Sequence, residues 1–179
     1  MLRKVIGSIA LIPMLLLGGC LGSNSGSGGR ATTASMPVAA AVPIALGAAA
    51  YVAAASSIDY YEIQSAQLAL ERAQDPTNRA FAEKTMATHR GTSAQLSMAG
   101  RRLNLLPTAS LTPEHQAMLD ALKTTPDFDS TYRAQQAILL REGISLHGNF
   151  ARAGKSPTLR PVASNAEQAM RRNQASLRR

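Results

Sequence analysis

From Tyr51 onward, apolar residues recur at intervals of three and four, the spacing that lines up side chains on one face of an α-helix. Tyr51 to Ala73 carries Ile58, Tyr61, Ser65, Leu68 and Arg72 on one side, with Ile63, Ala66 and Leu70 widening the stripe. "QDPTN" stops it. Asp75 suits an N-cap and Pro76 a first helical position, so one helix ends and the next begins within two or three residues. The second predicted helix runs to about Leu103 through Phe81, Met86, His89, Leu96 and Ala99. Pro107, Pro113 and Pro126 then forbid a continuous helix, although Thr112-Pro113-Glu114 can cap a short one through Leu122. A third long helix is predicted from near Phe128 to Ala153. "GKSPTL" repeats the elbow, with Gly154 as C-cap, Ser156 as N-cap and Pro157 in the first turn of a last helix. That helix buries Leu159, Val162, Ala166, Ala169, Met170 and Leu177, and Pro161 is expected to perturb its start.

The two elbows are echoes. A shift of 81 residues lays "DPTNRAFA" over "SPTLRPVA", Tyr51 over Tyr132 and Ile63 over Ile144. Two helical hairpins are implied, joined by a link long enough to cross the bundle. The expected fold is all-α: a ferritin-like four-helix bundle of up-down-down-up connectivity, with a short helix in the crossover. Aromatics are 4% of the 179 residues and Trp is absent, a composition suited to close-packed helices rather than strands.

The front of the chain follows another pattern. Arg3 and Lys4 precede an uncharged run of 13 residues, Val5 to Leu17, too short to span a bilayer and of the right length for an export signal. Leu17-Gly18-Gly19-Cys20 follows and resembles the lipobox of bacterial lipoproteins. The resemblance implies cleavage before Cys20, acylation of its thiol and tethering to a membrane. Several acyl chains on one residue hold a protein there almost permanently, at ~0.8 kcal/mol per buried CH₂. Leu21 after the cysteine, in place of Asp, points by the same analogy to the outer membrane, facing the periplasm. Residues 1–19 are thus expected to be a signal peptide, 20–50 a lipid-anchored flexible linker and 51–179 the helical domain. Met36 to Ala55 is uncharged, but Pro37, Pro43, Gly47 and its predominance of Ala argue for a linker entering the first helix rather than a membrane span.

Charge and cysteine count narrow the function. A single Cys excludes an intrachain disulfide and any Cys-based zinc cluster. Removing Arg3 and Lys4 takes 19 basic residues to 17 against 11 acids, a net charge of +6. Arg171, Arg172, Arg178 and Arg179 crowd the end, as complements to a helix dipole or as a patch for anionic lipid or lipopolysaccharide headgroups. Export and the absence of aromatic residues interleaved with basic ones exclude nucleic acid as the expected partner. The chain has no Gly-x-Ser-x-Gly, Gly-x-Gly-x-x-Gly, phosphate-binding loop or His-Glu-x-x-His.

"YVAAASSIDYYEIQSAQLALERAQDPTNRAFAEKTMATHR", with "LTPEHQAMLDAL" and "SPTLRPVAS" after it, resembles the bacterial domain of unknown function 4142 family, labelled predicted outer-membrane protein. The resemblance implies a ferritin-like fold and an envelope location, and brings no reaction with it. No Glu-x-x-His occurs, which disfavours a di-iron centre. Glu62 lies 13 residues before Asp75 and His89 lies 14 after it, so antiparallel packing sets them level as a polar contact or a weak metal candidate. Many family members also carry His in the third and fourth helices, where this chain has Leu140 and Asn173, and an acid where it has Thr88. Two protein ligands are too few for a dedicated zinc site. His115 is expected at the surface, His147 as a satisfied core histidine, Tyr61 in the core and Tyr60 at the rim. The leading expectation is a lipid-anchored envelope protein without enzymatic activity or cofactor, acting on envelope partners. Its rivals are a metal-binding or redox protein using Glu62 and His89, and an anionic-lipid module using the C-terminal arginines.

Overall fold

The computed structural model describes residues 46–178, so the signal segment, Leu17, Gly18, Gly19, Cys20, the linker up to residue 45 and Arg179 lie outside it. Five helices occupy the described chain: α1 (Ala48–Arg72), α2 (Pro76–Arg101), α3 (Pro113–Thr124), α4 (Phe128–Ala153) and α5 (Leu159–Leu177). The first elbow forms as its residues dictate. Asp75 Oδ1 accepts from the Thr77 N–H at 2.7 Å and Pro76 opens α2, where its missing donor costs nothing. Thr112 caps α3 through the His115 N–H.

Two helix starts and the effect of Pro161 depart from expectation. α1 starts at Ala48, three residues before Tyr51, because Gly47 caps it and Ala48 to Ala50 are good helix formers. At the second elbow α5 begins at Leu159, two residues past Pro157, while Ser156 caps as expected, its Oγ accepting from the Leu159 N–H at 3.3 Å and its carbonyl from Leu159 and Arg160. Pro161 is consequently the third residue of α5, where an N–H has no intrahelical partner to lose, and the helix continues through it.

α1 and α2 form one hairpin and α4 and α5 the other; α1 also packs on α4 and α2 on α5. Asp129, in the first turn of α4, accepts from the Gln74 and Asp75 N–H groups and from Asn78 Nδ2, which brings the first elbow to the start of α4. Arg133 Nη2 donates to the Leu177 carbonyl, adding the end of α5. Direction is therefore up-down-down-up, a ferritin-like four-helix bundle with α3 in the crossover. Around this elbow end lies a core with Phe81, Leu122, Phe128, Tyr132 and Leu139. A second cluster, Tyr51, Val52, Leu96, Phe150 and Leu159, fills the other end, where Tyr51 stacks on Phe150 at 3.9 Å between ring centroids. Among the described residues no helix is long and apolar enough to cross a membrane.

Candidate functional site

In register between the two apolar clusters, α1 and α2 place Asp59, Glu62 and His89. Their side chains are shut off from solvent, at 2%, 1% and 0% exposure. Glu62 and His89, 13 and 14 residues from Asp75, lie close enough for each to feel the other's charge. His89, however, pairs with Asp59, three residues earlier on α1: its Nδ1–H donates to Asp59 Oδ1 at 2.8 Å. The Thr92 hydroxyl donates to the same oxygen at 2.7 Å. Asp59 and Thr92 were not singled out in the sequence. The usable signal is that each stands three residues from a candidate, so both fall on the same helix faces as Glu62 and His89.

Burial disfavours the His89 cation, but the Asp59 hydrogen bond and the charges of Glu62 and Asp59 outweigh it and raise the imidazole above its ordinary range. Burial also raises Glu62, against the pull of His89 and the Gln136 amide. Glu62 Oε2 and His89 Nε2 have no hydrogen-bond partner in the protein, and the same holds for Thr85 Oγ1 and Gln136 Oε1. Leu140 is buried apolar, while Asn173 accepts from the Thr88 hydroxyl at 3.4 Å and ties α5 to α2 beside His89. Among the described residues no three of His, Cys, Asp and Glu converge to hold a metal ion. The donors present suit an internal ion pair with a neighbouring acid.

His115 corrects the expectation of a surface residue: it is buried where α3 lies on α1. The Thr112 N–H donates to Ser57 Oγ at 2.9 Å and Ser57 Oγ donates to His115 Nδ1 at 2.7 Å. His115 Nε2 then donates to Glu142 on α4 at 3.2 Å. A surface pattern in α3 gave no hint of this relay, because its other half is a serine on α1. His147 is a core residue, as expected, with the Tyr51 hydroxyl donating to Nδ1 at 2.9 Å, and burial pushes it down to about 4. Its Nε2 has no partner, so only one ring nitrogen is satisfied. Tyr61 is fully buried and donates to Gln135, and Tyr60 is half-buried, both as expected.

Three of the four C-terminal arginines are among the described residues. Arg171 is forked onto Glu167 one turn earlier, at 3.1 and 2.7 Å. Arg172 is exposed and its carbonyl accepts from Lys84, and Arg178 is exposed at the C-cap.

The family model described as a domain of unknown function, DUF4142, matches residues 33–179. The chain belongs to this family. Among solved structures, the DUF4142 chain is similar to one titled as a crystal structure of a DUF305 fragment from Deinococcus radiodurans. The two share 20% identity and a TM-score of 0.54, over 73% of this chain and 91% of that one, a likeness in fold alone. No curated protein matches the chain.

Proposed function

We propose that this DUF4142 protein is a lipid-anchored module of the bacterial cell envelope, held by acylated Cys20 and working through the outer surface of its bundle rather than by catalysis. The observation that carries the second half is the sealing of Asp59, Glu62 and His89, the groups best suited to acid–base work, at 2% exposure or less. A substrate would have to part α1 from α2 to reach them. Support for the first half is the order of residues ahead of the domain: a charged start, a 13-residue apolar run and Leu17-Gly18-Gly19-Cys20. Leu21 favours the outer membrane. Mass spectrometry of the mature protein from its host tests the anchor. The expected N-terminus is a diacyl- or triacyl-modified Cys20; an unmodified start at another residue overturns it.

A metal-binding reading draws on one observation, that Glu62 Oε2 and His89 Nε2 are both unpartnered while Asp59 fixes the other ring nitrogen. Elemental analysis of purified protein decides between them. Stoichiometric metal that is lost in Glu62→Ala would replace the non-catalytic reading.

A further inference from the structure

The excess positive charge of the bundle belongs to one end. Residues 46–58, 91–113 and 143–166 contain Arg101, Arg102, Arg152, Lys155 and Arg160 and no Asp or Glu. The rest of the chain from residue 59 carries eleven Lys and Arg against all eleven acids, and so is balanced. The fold brings these three segments together: the start of α1, the end of α2 and the elbow between α4 and α5 surround the cluster of Tyr51, Leu96, Phe150 and Leu159. All five cations are exposed there. Arg160 donates to the Ala151 carbonyl, and Arg152 lies 4.0 Å from Glu167, a carboxylate already taken by Arg171.

Apolar side chains are exposed at the same end. Met98 and Leu106 are 66% and 63% exposed and Leu46 is 38% exposed, three of the four large apolar residues exposed among those described. Leu106 is thrown outward by the turn that closes α2. There Asn104 takes a left-handed conformation (φ 54°), Leu105 N donates to the Gly100 carbonyl, and Asn104 N donates to that of Arg101. A groove lined by Met98, Ala99, Arg102, Thr158 and Val162 runs between the two helices.

We propose that this end of the bundle docks on the anionic phospholipid surface of the membrane that holds the anchor. The claim rests on the anchored reading in one respect: the polypeptide leading from Cys20 enters the bundle here, at Gly47, so this end reaches the surface with the least loop-closure cost. Five cations without a carboxylate among them are attracted to phosphate headgroups, and Met98 and Leu106 have apolar surface to place in the interface.

The test uses the full chain from cells that process it, with vesicles of phosphatidylcholine alone or containing phosphatidylglycerol. Flotation with the neutral vesicles reports the anchor. Docking is read separately, by hydrogen exchange. Residues 98–106 and 152–160 should exchange more slowly on anionic vesicles than on neutral ones, and high salt should restore the faster rate. Each cation is worth about fivefold, so Arg101→Gln/Arg102→Gln should lower the docked-to-free ratio about 25-fold. Arg171→Gln/Arg172→Gln should leave it unchanged. Protection at the basic end on anionic vesicles, in a chain that does not float with neutral ones, would end the anchor reading and keep the docking. Equal exchange on both vesicle types, or protection centred on residues 171–178, overturns the docking.

Discussion

His89 and Asp59 meet side chain to side chain, Nδ1 to Oδ1 at 2.8 Å, where neither reaches water. Removing one member of such a pair strands the other charge in a low-dielectric interior, which costs about 3–5 kcal/mol, whereas replacing both with apolar groups is often near neutral. Asp59→Ala also takes from the Thr92 hydroxyl its shortest hydrogen bond, leaving it the His89 carbonyl at 3.2 Å. The expected result in urea unfolding is a loss of about 3–5 kcal/mol for Asp59→Ala and a smaller loss for Asp59→Leu/His89→Leu, although the double variant changes more atoms.

Two buried histidines should give stability opposite dependences on pH. His147 is depressed from 6.5 to about 4 by burial, so the folded state resists its protonation. The stability this contributes is present above pH 6.5 and is lost as pH falls through 4, about 3 kcal/mol in all. Urea unfolding at several pH values should therefore show the wild type losing about that much relative to His147→Leu on acidification, even though the variant is the weaker at neutral pH for want of a partner to Tyr51.

His89 runs the other way. Its folded-state value is raised, so its contribution is complete below pH 6.5 and is lost as pH rises through the folded value. Glu62, also raised, adds a loss of the same sign that begins above 4.5. Against Asp59→Leu/His89→Leu, the wild type should lose ground as pH rises past neutrality. A flat difference between the two proteins over that range would contradict the charged pair.

Two glycines of α2 should respond oppositely to alanine. A Cβ at Gly91 meets nothing within 4 Å, and Gly91→Ala should stabilise by about 0.5–1 kcal/mol through helix propensity. At Gly100 a Cβ would collide with the Leu105 carbonyl oxygen, which is backbone held in the closing turn. Gly100→Ala should therefore destabilise by about 1–3 kcal/mol, with thermal unfolding as the measurement.

Arg72 fastens the end of α1 to the end of α3. Its guanidinium donates to the Leu122 and Thr125 carbonyls at 2.9 Å each and lies 4.8 Å from the Phe128 ring centroid. A lysine supplies one point charge in place of the fork and the stacking plane. Arg72→Lys should recover little of the roughly 1–2 kcal/mol lost in Arg72→Ala.

The helices were legible where single residues punctuate the chain. Asp75-Pro76 and Gly154 mark both elbows, and the helix expected from near Phe128 to Ala153 spans Phe128–Ala153. Matching distances from the elbow placed Glu62 and His89 on one level but could not choose between Glu62 and Asp59 as partner. The two acids are less than one turn apart, and helix rotation, not height, decides which one faces His89. His115 was misplaced for a related reason: α3 reads as a surface helix, and its burial depends on Ser57, 58 residues away. The C-terminal arginines stand out in the sequence because four of them fall within nine residues. The larger imbalance is hidden in the sequence because its cations lie in two distant segments, two in 91–113 and three in 143–166, that come together only in the fold.

The relay from Thr112 through Ser57 and His115 to Glu142 also bears on how copies of this protein treat one another. A connector between hairpins that hung loose could hand its second hairpin to a neighbouring molecule as easily as to its own first one. Zipped onto α1 and α4, it makes closure within the parent chain the shorter path, and crowding such molecules together should not drive them to exchange arms.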